Sequence, residues 1–351
     1  MASTESLGEY TTQGTGEEDL NYAMRLSSAF VFTMAMNAAM RLKLLDIISR
    51  AGMGAYLSAK EIASQLPTKN SQASQMVDRI LRLLASYSVV TCTNSVNKLD
   101  GDNNSTNWLY GLAPISKYFL NSEGNTSLAP PMQLLHCKAF MDTWYGLEDA
   151  VLEGGVPFNR VHEMHVYEYT AKFPQSNELF NKAMINLTRL LMENILDKYK
   201  GFKNLKELVD VGGGLGLTLQ MITSKYPNIK AINFDLPQVI QDAPPYSGVQ
   251  YISGDMFTKV PKGEAILLKN CYAALPDDGK IIVIELLVPE TVDTNEETRI
   301  TFQLDLIMLA QFADGKERSR SQYESLATKA GFSGLKLECH FGNFWVMEIY
   351  K

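Results

Sequence analysis

From Leu205 to the C-terminus short apolar runs alternate with helical segments, and this rhythm constrains the fold more than any other feature of the chain. Runs that are apolar throughout suit strands covered on both faces, and helical connections between them make neighbouring strands parallel. The predicted strands are 207–211, 231–234, 249–252, 265–268, 280–285, 335–338 and 344–350. Together they make one doubly wound α/β domain with a Rossmann-like sheet.

Asp210-Val211-Gly212-Gly213-Gly214-Leu215-Gly216 leaves the first strand and leads into a helix, where a Gly-rich turn lets a ligand reach the backbone and the helix N-terminus. The dinucleotide pattern G-x-G-x-x-G does not fit: counted from Gly212 its third glycine falls on Leu217, and counted from Gly214 on Leu219. Pyrophosphate recognition loses ground, and G-x-G-x-G remains. Asp235 closes the next strand, where a carboxylate can accept both hydrogen bonds of a ribose diol. The third strand ends in Gly254-Asp255-Met256-Phe257, with an acceptor for an adenine amine and a thioether to pack on its face. Taken singly, each is equally well a tight turn or a solvated strand end. Three in register suit a nucleoside without phosphate.

Ahead of this domain the pattern is helical. Residues 1–20 are polar and acidic and are expected to form a disordered tail, without the basic start and apolar core of a secretory signal. Apolar residues recur with helical spacing over 22–50, which predicts one long helix, whole or broken in two, stopped by Gly52 and Gly54. Ser58 followed by Glu61 is a capping box opening a short helix through Leu66, and a second helix is predicted over 71–87. Strands are predicted over 89–93 and 108–112, joined by an Asn-rich loop. Helix, turn, helix and hairpin make a winged-helix pattern, which can read DNA or serve as a dimerisation module. Residues 114–200 are mainly helical and rich in Met and aromatic residues, most of them core and a minority free to line a pocket for a flat apolar ligand.

Composition separates these readings. A formal charge of -7 over 351 residues, with no Lys/Arg run, repels a phosphate backbone, which argues against nucleic acid as a partner and favours dimerisation. Cys92, Cys137, Cys271 and Cys339 form no C-x-x-C pair, so neither a disulfide framework nor a zinc site is expected. A reducing cytoplasm fits best. The apolar stretch 29–39 is too short to cross a bilayer. His162 and His165 are three residues apart on a predicted helix, but with no third ligand in evidence no metal is assigned.

With these motifs in view, the chain resembles the plant caffeic acid O-methyltransferase family over nearly its full length. The resemblance is carried by Leu208-Val209-Asp210-Val211-Gly212-Gly213-Gly214, Ile232-Asn233-Phe234-Asp235-Leu236-Pro237, Gly254-Asp255-Met256-Phe257 and Gly315-Lys316-Glu317-Arg318, and in the first half by Leu83-Leu84-Ala85-Ser86-Tyr87-Ser88 and Tyr110-Gly111-Leu112-Ala113-Pro114. It implies an S-adenosylmethionine-dependent methyltransferase domain over 121–351, a winged-helix dimerisation domain over 21–120, a homodimer, and a phenolic hydroxyl as methyl acceptor. By position, Gly212, Asp235, Asp255, Met256 and Lys269 would hold the cofactor, and Glu285 and Glu317 would sit beside the catalytic base. Leu135, Leu187 and Phe312 stand where lignin-type members place polar residues. With Met184 they imply an apolar pocket, suited to a flat phenylpropanoid, flavonoid or alkaloid-type phenol.

One departure is large. The base should be a histidine in an H-D-W motif after the fourth strand, taking the phenol proton as oxygen attacks the methyl group. The chain instead runs Ala265-Ile266-Leu267-Leu268-Lys269-Asn270-Cys271-Tyr272, and its histidines, His136, His162, His165 and His340, all lie elsewhere. About sixteen residues of family pattern are missing, and a parallel crossover of a dozen or more residues has little room before Pro276. A splicing or gene-model error, a natural variant that has lost activity, and a divergent protein with another chemistry all account for this. The competing functions are an O-methyltransferase, a catalytically inactive cofactor-binding dimer, and a winged-helix regulator that binds DNA.

Overall fold

The computed structural model describes residues 16–95, 107–120, 126–267 and 279–351 and divides into two compact units, up to Glu123 and from Gly124 onward.

In the first unit the stretch expected as one long helix, broken at most once, is broken twice, into α1 (Gly16–Ser27), α2 (Ala29–Arg41) and α3 (Leu44–Arg50). The second break has a local cause. Leu42 and Lys43 N–H close α2 on the carbonyls of Ala38 and Met40 at 2.9 and 3.0 Å, and Lys43 turns left-handed, with φ 56°. Leu44, Leu45, Ile47 and Ile48 are buried after that turn, as Met36, Ala39 and Met40 are before it. Helix α1 starts inside the segment read as a tail, whose residues 1–15 lie outside the described part. It buries nothing: Leu20, Tyr22, Met24 and Leu26 are exposed, as are Phe30, Val31 and Met34 of α2.

The short strand β1 (Leu57–Ser58) runs into α4 (Ala59–Ala63) through the expected capping box. Glu61 N–H donates to Ser58 Oγ at 3.2 Å, and the Ser58 N–H and hydroxyl each donate to the Glu61 carboxylate at 2.7 Å, which holds the Glu61 pKa below its usual value. Helix α5 (Ala73–Ser86) buries Val77, Leu81 and Leu84, one face at helical spacing. Strands β2 (Val90–Ser95) and β3 (Asn107–Leu112) pair antiparallel, and β1 adds to β3 in the order β1-β3-β2. The Asn-rich loop between β2 and β3 lies outside the described residues.

The second unit opens with short helices, α6 (Ala129–Leu135), α7 (Lys138–Thr143), α8 (Leu147–Glu153), α9 (Pro157–His162) and α10 (Val166–Lys172), and the long α11 (Pro174–Lys198). The sheet follows: β4 (Glu207–Val211), α12 (Leu217–Lys225), β5 (Lys230–Asp235), α13 (Pro237–Ile240), β6 (Val249–Ser253), β7 (Ala265–Leu267), β8 (Lys280–Val288), α14 (Glu296–Gln311), β9 (Arg318–Ser319), α15 (Arg320–Lys329), β10 (Gly334–Phe341) and β11 (Phe344–Tyr350). The order is β10-β11-β8-β7-β4-β5-β6, parallel from β8 to β6, with β10 and β11 antiparallel and the two-residue β9 beside β8.

Alternation along the strands sends consecutive residues to opposite layers. Leu208, Ala231, Ala265 and Ile282 pack with Met192, Ile195 and Leu196 of α11 and Leu219 and Ile222 of α12. Val209, Ile232, Ile266, Ile281 and Val283 pack on the other face with Ala327 of α15 and Phe332. The topology turns between β4 and β7, so the carboxyl edge of the strands around that point is where an open α/β sheet places its ligands.

Candidate active site

The Gly-rich loop sits at this carboxyl edge and is held from below by its neighbouring strand. Gly212 N–H donates to the Phe234 carbonyl at 2.8 Å, and Asn233 Nδ2 donates to the Gly214 carbonyl at 2.9 Å. Two glycines carry the geometry. A Cβ on Gly213 would lie 2.1 Å from Asn233 Oδ1 and 2.8 Å from the Asp210 carboxylate, so no larger residue fits. Gly214 adopts φ 58° and faces the other way, where a Cβ would meet nothing within 4 Å. Gly212, with φ 72°, opens on the same kind of free space. The loop is therefore packed beneath and open above, as a backbone cradle requires.

Asp235 ends β5 against this loop. Its Oδ2 accepts the Gly214 N–H at 2.8 Å and its Oδ1 the Leu236 N–H at 2.7 Å. Each carboxylate oxygen can accept a second hydrogen bond, so an oriented pair of acceptors remains for a diol. Asp255 follows β6 and accepts the Phe257 N–H at 3.0 Å in a turn of its own, and Met256 packs partly buried beside Phe234 and Ile252. The open loop, Asp235, Asp255 and Met256 thus fit a nucleoside in which no phosphate needs holding. Lys269 lies outside the described residues.

Beneath the loop Asp210 is buried. Burial first, and then the negative charge of Asp235, push its carboxyl up to about 7. Sequence reading passed over Asp210 as part of a motif, although an acidic residue closing an apolar strand was the available signal.

Leu135, Met184, Leu187 and Phe312 are brought together with Glu285 and Glu317 in the wall of one cavity of about 650 Å³. Its walls come from α6, α11 and α14, and from the face of β8 carrying Ile281, Val283 and Glu285. The loop after α14 doubles back, so that Glu317 N–H donates to Asp305 Oδ1 at 2.7 Å, which sets Glu317 on the same cavity as Glu285. Tyr323 of α15 joins them. Burial first, and then the Glu285 carboxylate, raise its phenol above the ordinary range, so it stays protonated.

The histidines serve other contacts. His136 Nδ1 lies 2.6 Å from the Met132 carbonyl, and His162 Nε2 2.8 Å from that of Ala139. His165 Nδ1 faces Asn159 at 2.8 Å, and His340 stacks on Trp345. None is among the described residues lining the cavity, and no cluster able to hold a metal occurs among the described residues.

Residues 144–333 match the O-methyltransferase domain family, and residues 24–122 match the O-methyltransferase dimerisation domain. The chain is 47% identical to a caffeic acid 3-O-methyltransferase of Catharanthus roseus over 95% of its own length and 96% of that protein. It is 46% identical to a caffeic acid 3-O-methyltransferase of Eucalyptus gunnii over the whole of both chains. That alignment runs over 368 residues against 351 here, so at least 17 of its positions face no residue of this chain. Human N-acetylserotonin methyltransferase, solved in complex with SAM, shares the fold with a TM-score of 0.76 at 20% identity, over 98% of this chain and 99% of that one. This chain belongs to the O-methyltransferase family.

Proposed function

We propose that the chain binds S-adenosylmethionine at the carboxyl edge of β4, β5 and β6 and a flat phenolic acceptor, of phenylpropanoid, flavonoid or alkaloid type, in the cavity beside Glu285 and Glu317. When bound, the cofactor supplies a sulfonium methyl group. The chain's own part is to hold a diol on Asp235, to keep the Gly-rich backbone open to the nucleoside, and to orient a phenolic oxygen in a largely apolar wall. Glu285 and Glu317 are carboxylates that can accept a proton there, and Asp314 lines the same cavity. The observation that carries this reading is the Asp235 carboxylate, clamped by the Gly214 and Leu236 amides at the mouth of an open loop.

Methyl transfer by this chain is weak or absent, because no described residue supplies an imidazole to the cavity and the H-D-W stretch is missing from the sequence. A dimer that retains the cofactor without turnover is the second reading this favours. Dimerisation is through the first unit, whose exposed Leu20, Met24, Phe30, Val31 and Met34 offer the apolar surface. The winged-helix reading of that unit, and a cytoplasmic place in phenylpropanoid-type metabolism, belong to the same proposal.

Calorimetry with S-adenosylhomocysteine tests it. Asp235→Ala is expected to weaken binding by about 1.5–3 kcal/mol, roughly ten- to a hundredfold, and NAD should not compete. Unchanged affinity removes Asp235 from the site, and tight NAD binding overturns the cofactor assignment.

A further inference from the structure

One residue of the cavity wall combines burial with an unpaired polar atom. On α14, Leu304, Ile307, Met308 and Gln311 recur at the spacing of a single helical face, and all line the cavity. Three are apolar and the fourth is a carboxamide, only 2% exposed. Its Oε1 is buried and takes no hydrogen bond from any described residue. Buried polar groups are nearly always paired, and one left unpaired at a cavity wall destabilises the empty protein. Closing the end of α14 does not require it, because Phe312 N–H returns to the Met308 carbonyl at 3.0 Å and Gly315 N–H to the Phe312 carbonyl at 3.1 Å.

We infer that Gln311 is a specificity-determining residue, which hydrogen-bonds a second polar group on the acceptor, at the end of the molecule away from the hydroxyl beside Glu285 and Glu317. The inference rests on reading the cavity as the acceptor site. The fold gives the spacing between the two ends. Glu317 is tied to Asp305, and Gln311 lies six residues further along the same helix, about 9 Å along its axis at 1.5 Å per residue. A planar two-ring phenol with a hydroxyl at each end spans such a distance, and Phe140, Phe180 and Phe312 of the same wall suit its rings. A site built to hydrogen-bond a ligand hydroxyl rejects the analogue that lacks it, because its own polar group then stays unpaired. The carboxamide therefore selects acceptors that are polar at both ends and apolar between, in a pocket whose other α14 residues exclude more hydroxylated rings.

The test needs no turnover. Dissociation constants of biphenyl-4,4′-diol and biphenyl-4-ol are measured by calorimetry on the full chain with S-adenosylhomocysteine bound, for the wild type, Gln311→Met and Leu187→Trp. The diol is expected to bind the wild type at least about tenfold more tightly than the mono-ol, and Gln311→Met, which keeps length and volume, to bring the two within about twofold. Leu187→Trp, which fills the cavity, should weaken both alike. If Leu187→Trp weakens both while Gln311→Met leaves the preference untouched, the role of Gln311 is overturned and the acceptor site stands. If the wild type binds neither compound, the acceptor-site reading falls and the inference falls with it.

Discussion

The two halves of the sheet are positioned by different means. From β4 to β6 each strand is joined to the next by a connection carrying a helix, and β4 and β5 pair in parallel over 5 registered positions, Glu207 to Val211. On the other side of the switch point β7 contributes only Ala265–Leu267, and the chain must return from Leu267 to Lys280 alongside it within the 12 residues 268–279, the lower limit of a parallel crossover. β8 is paired along most of its length on its other side. Its partner is the antiparallel β11, in unbroken register from Lys280↔Tyr350 to Leu286↔Phe344. At the foot of this ladder Lys280 Nζ lies 2.5 Å from Glu348 Oε1, the hydroxyl of Tyr199, just after α11, donates to the same carboxylate, and Tyr350 donates to Oε2 at 2.6 Å. Glu285 reaches the carboxyl edge because β11 carries β8. The side proposed to hold the nucleoside is thus built from local units, and the side proposed to hold the acceptor from a long-range pairing.

The largest effect is expected from restoring what the acceptor side lacks. A family-like segment containing H-D-W, inserted between Leu268 and Asn270, should raise single-turnover methylation by about 10²- to 10⁴-fold, the range of a positioned general base, and raise the melting temperature with it. Robust transfer by the unaltered chain would break the comparison, since Glu285, Glu317 or solvent would then serve as base.

Next in size is the brace under β8. Lys280→Met leaves Glu348, 5% exposed, without its cation and should cost about 3 kcal/mol in urea unfolding near pH 7. The sign with pH is set by Glu348. Burial raises its pKa, but the hydrogen bonds from Lys280, Tyr199 and Tyr350 outweigh it, and the net value lies below that of an ordinary glutamate. The stabilisation is therefore complete above the unfolded pKa of about 4.3 and is lost as pH falls through the lower native value. The penalty of Lys280→Met should shrink in that acid range. An equal loss at pH 3 and pH 7 would remove charge from the account and leave only packing.

The same contrast decides what could be read from the sequence. Elements set by local rules are legible in the sequence: the Ser58–Glu61 capping box, the strand over Glu207–Val211, and the placement of Gly212, Asp235 and Asp255 at three strand ends. Elements that exist only through distant partners did not. Strand β1 has two residues and depends on Tyr110 and Leu109, and β9 has two and depends on Leu287 and Val288. Neither carries a periodic signal of its own. The left-handed turn at Lys43 is equally silent, because the apolar spacing continues straight through it. The short connection after Leu267 was visible as a missing stretch of chain. What compensates for it was hidden, because Lys280, Glu348 and Tyr199 are far apart in the sequence. Gln311 could have been noticed as the polar residue on an apolar helical face, whereas its lack of a partner is a property of the packed protein.

The smallest expected effect lies on the nucleoside side, which local structure holds, and it is a pH dependence. Asp210 is raised to about 7 by burial and by the charge of Asp235, while in the unfolded chain it titrates near the ordinary aspartate value of about 3.9. The unfolded state therefore gives up this proton first as pH rises. Stability associated with the protonated side chain is fully present below the unfolded pKa, declines across the interval, and is gone once pH passes the native value. Asp210→Asn keeps the size of the side chain beneath Gly213 and cannot ionise. Between pH 5 and pH 7 the wild type should lose stability relative to the mutant by on the order of 1 kcal/mol per pH unit, and the difference should level off above about pH 8. Urea midpoints for both proteins across this range check it. Parallel curves would mean that Asp210 keeps one protonation state throughout, and the Gly-rich loop would then rest on a permanently charged base, making the nucleoside side the more strained half of the sheet.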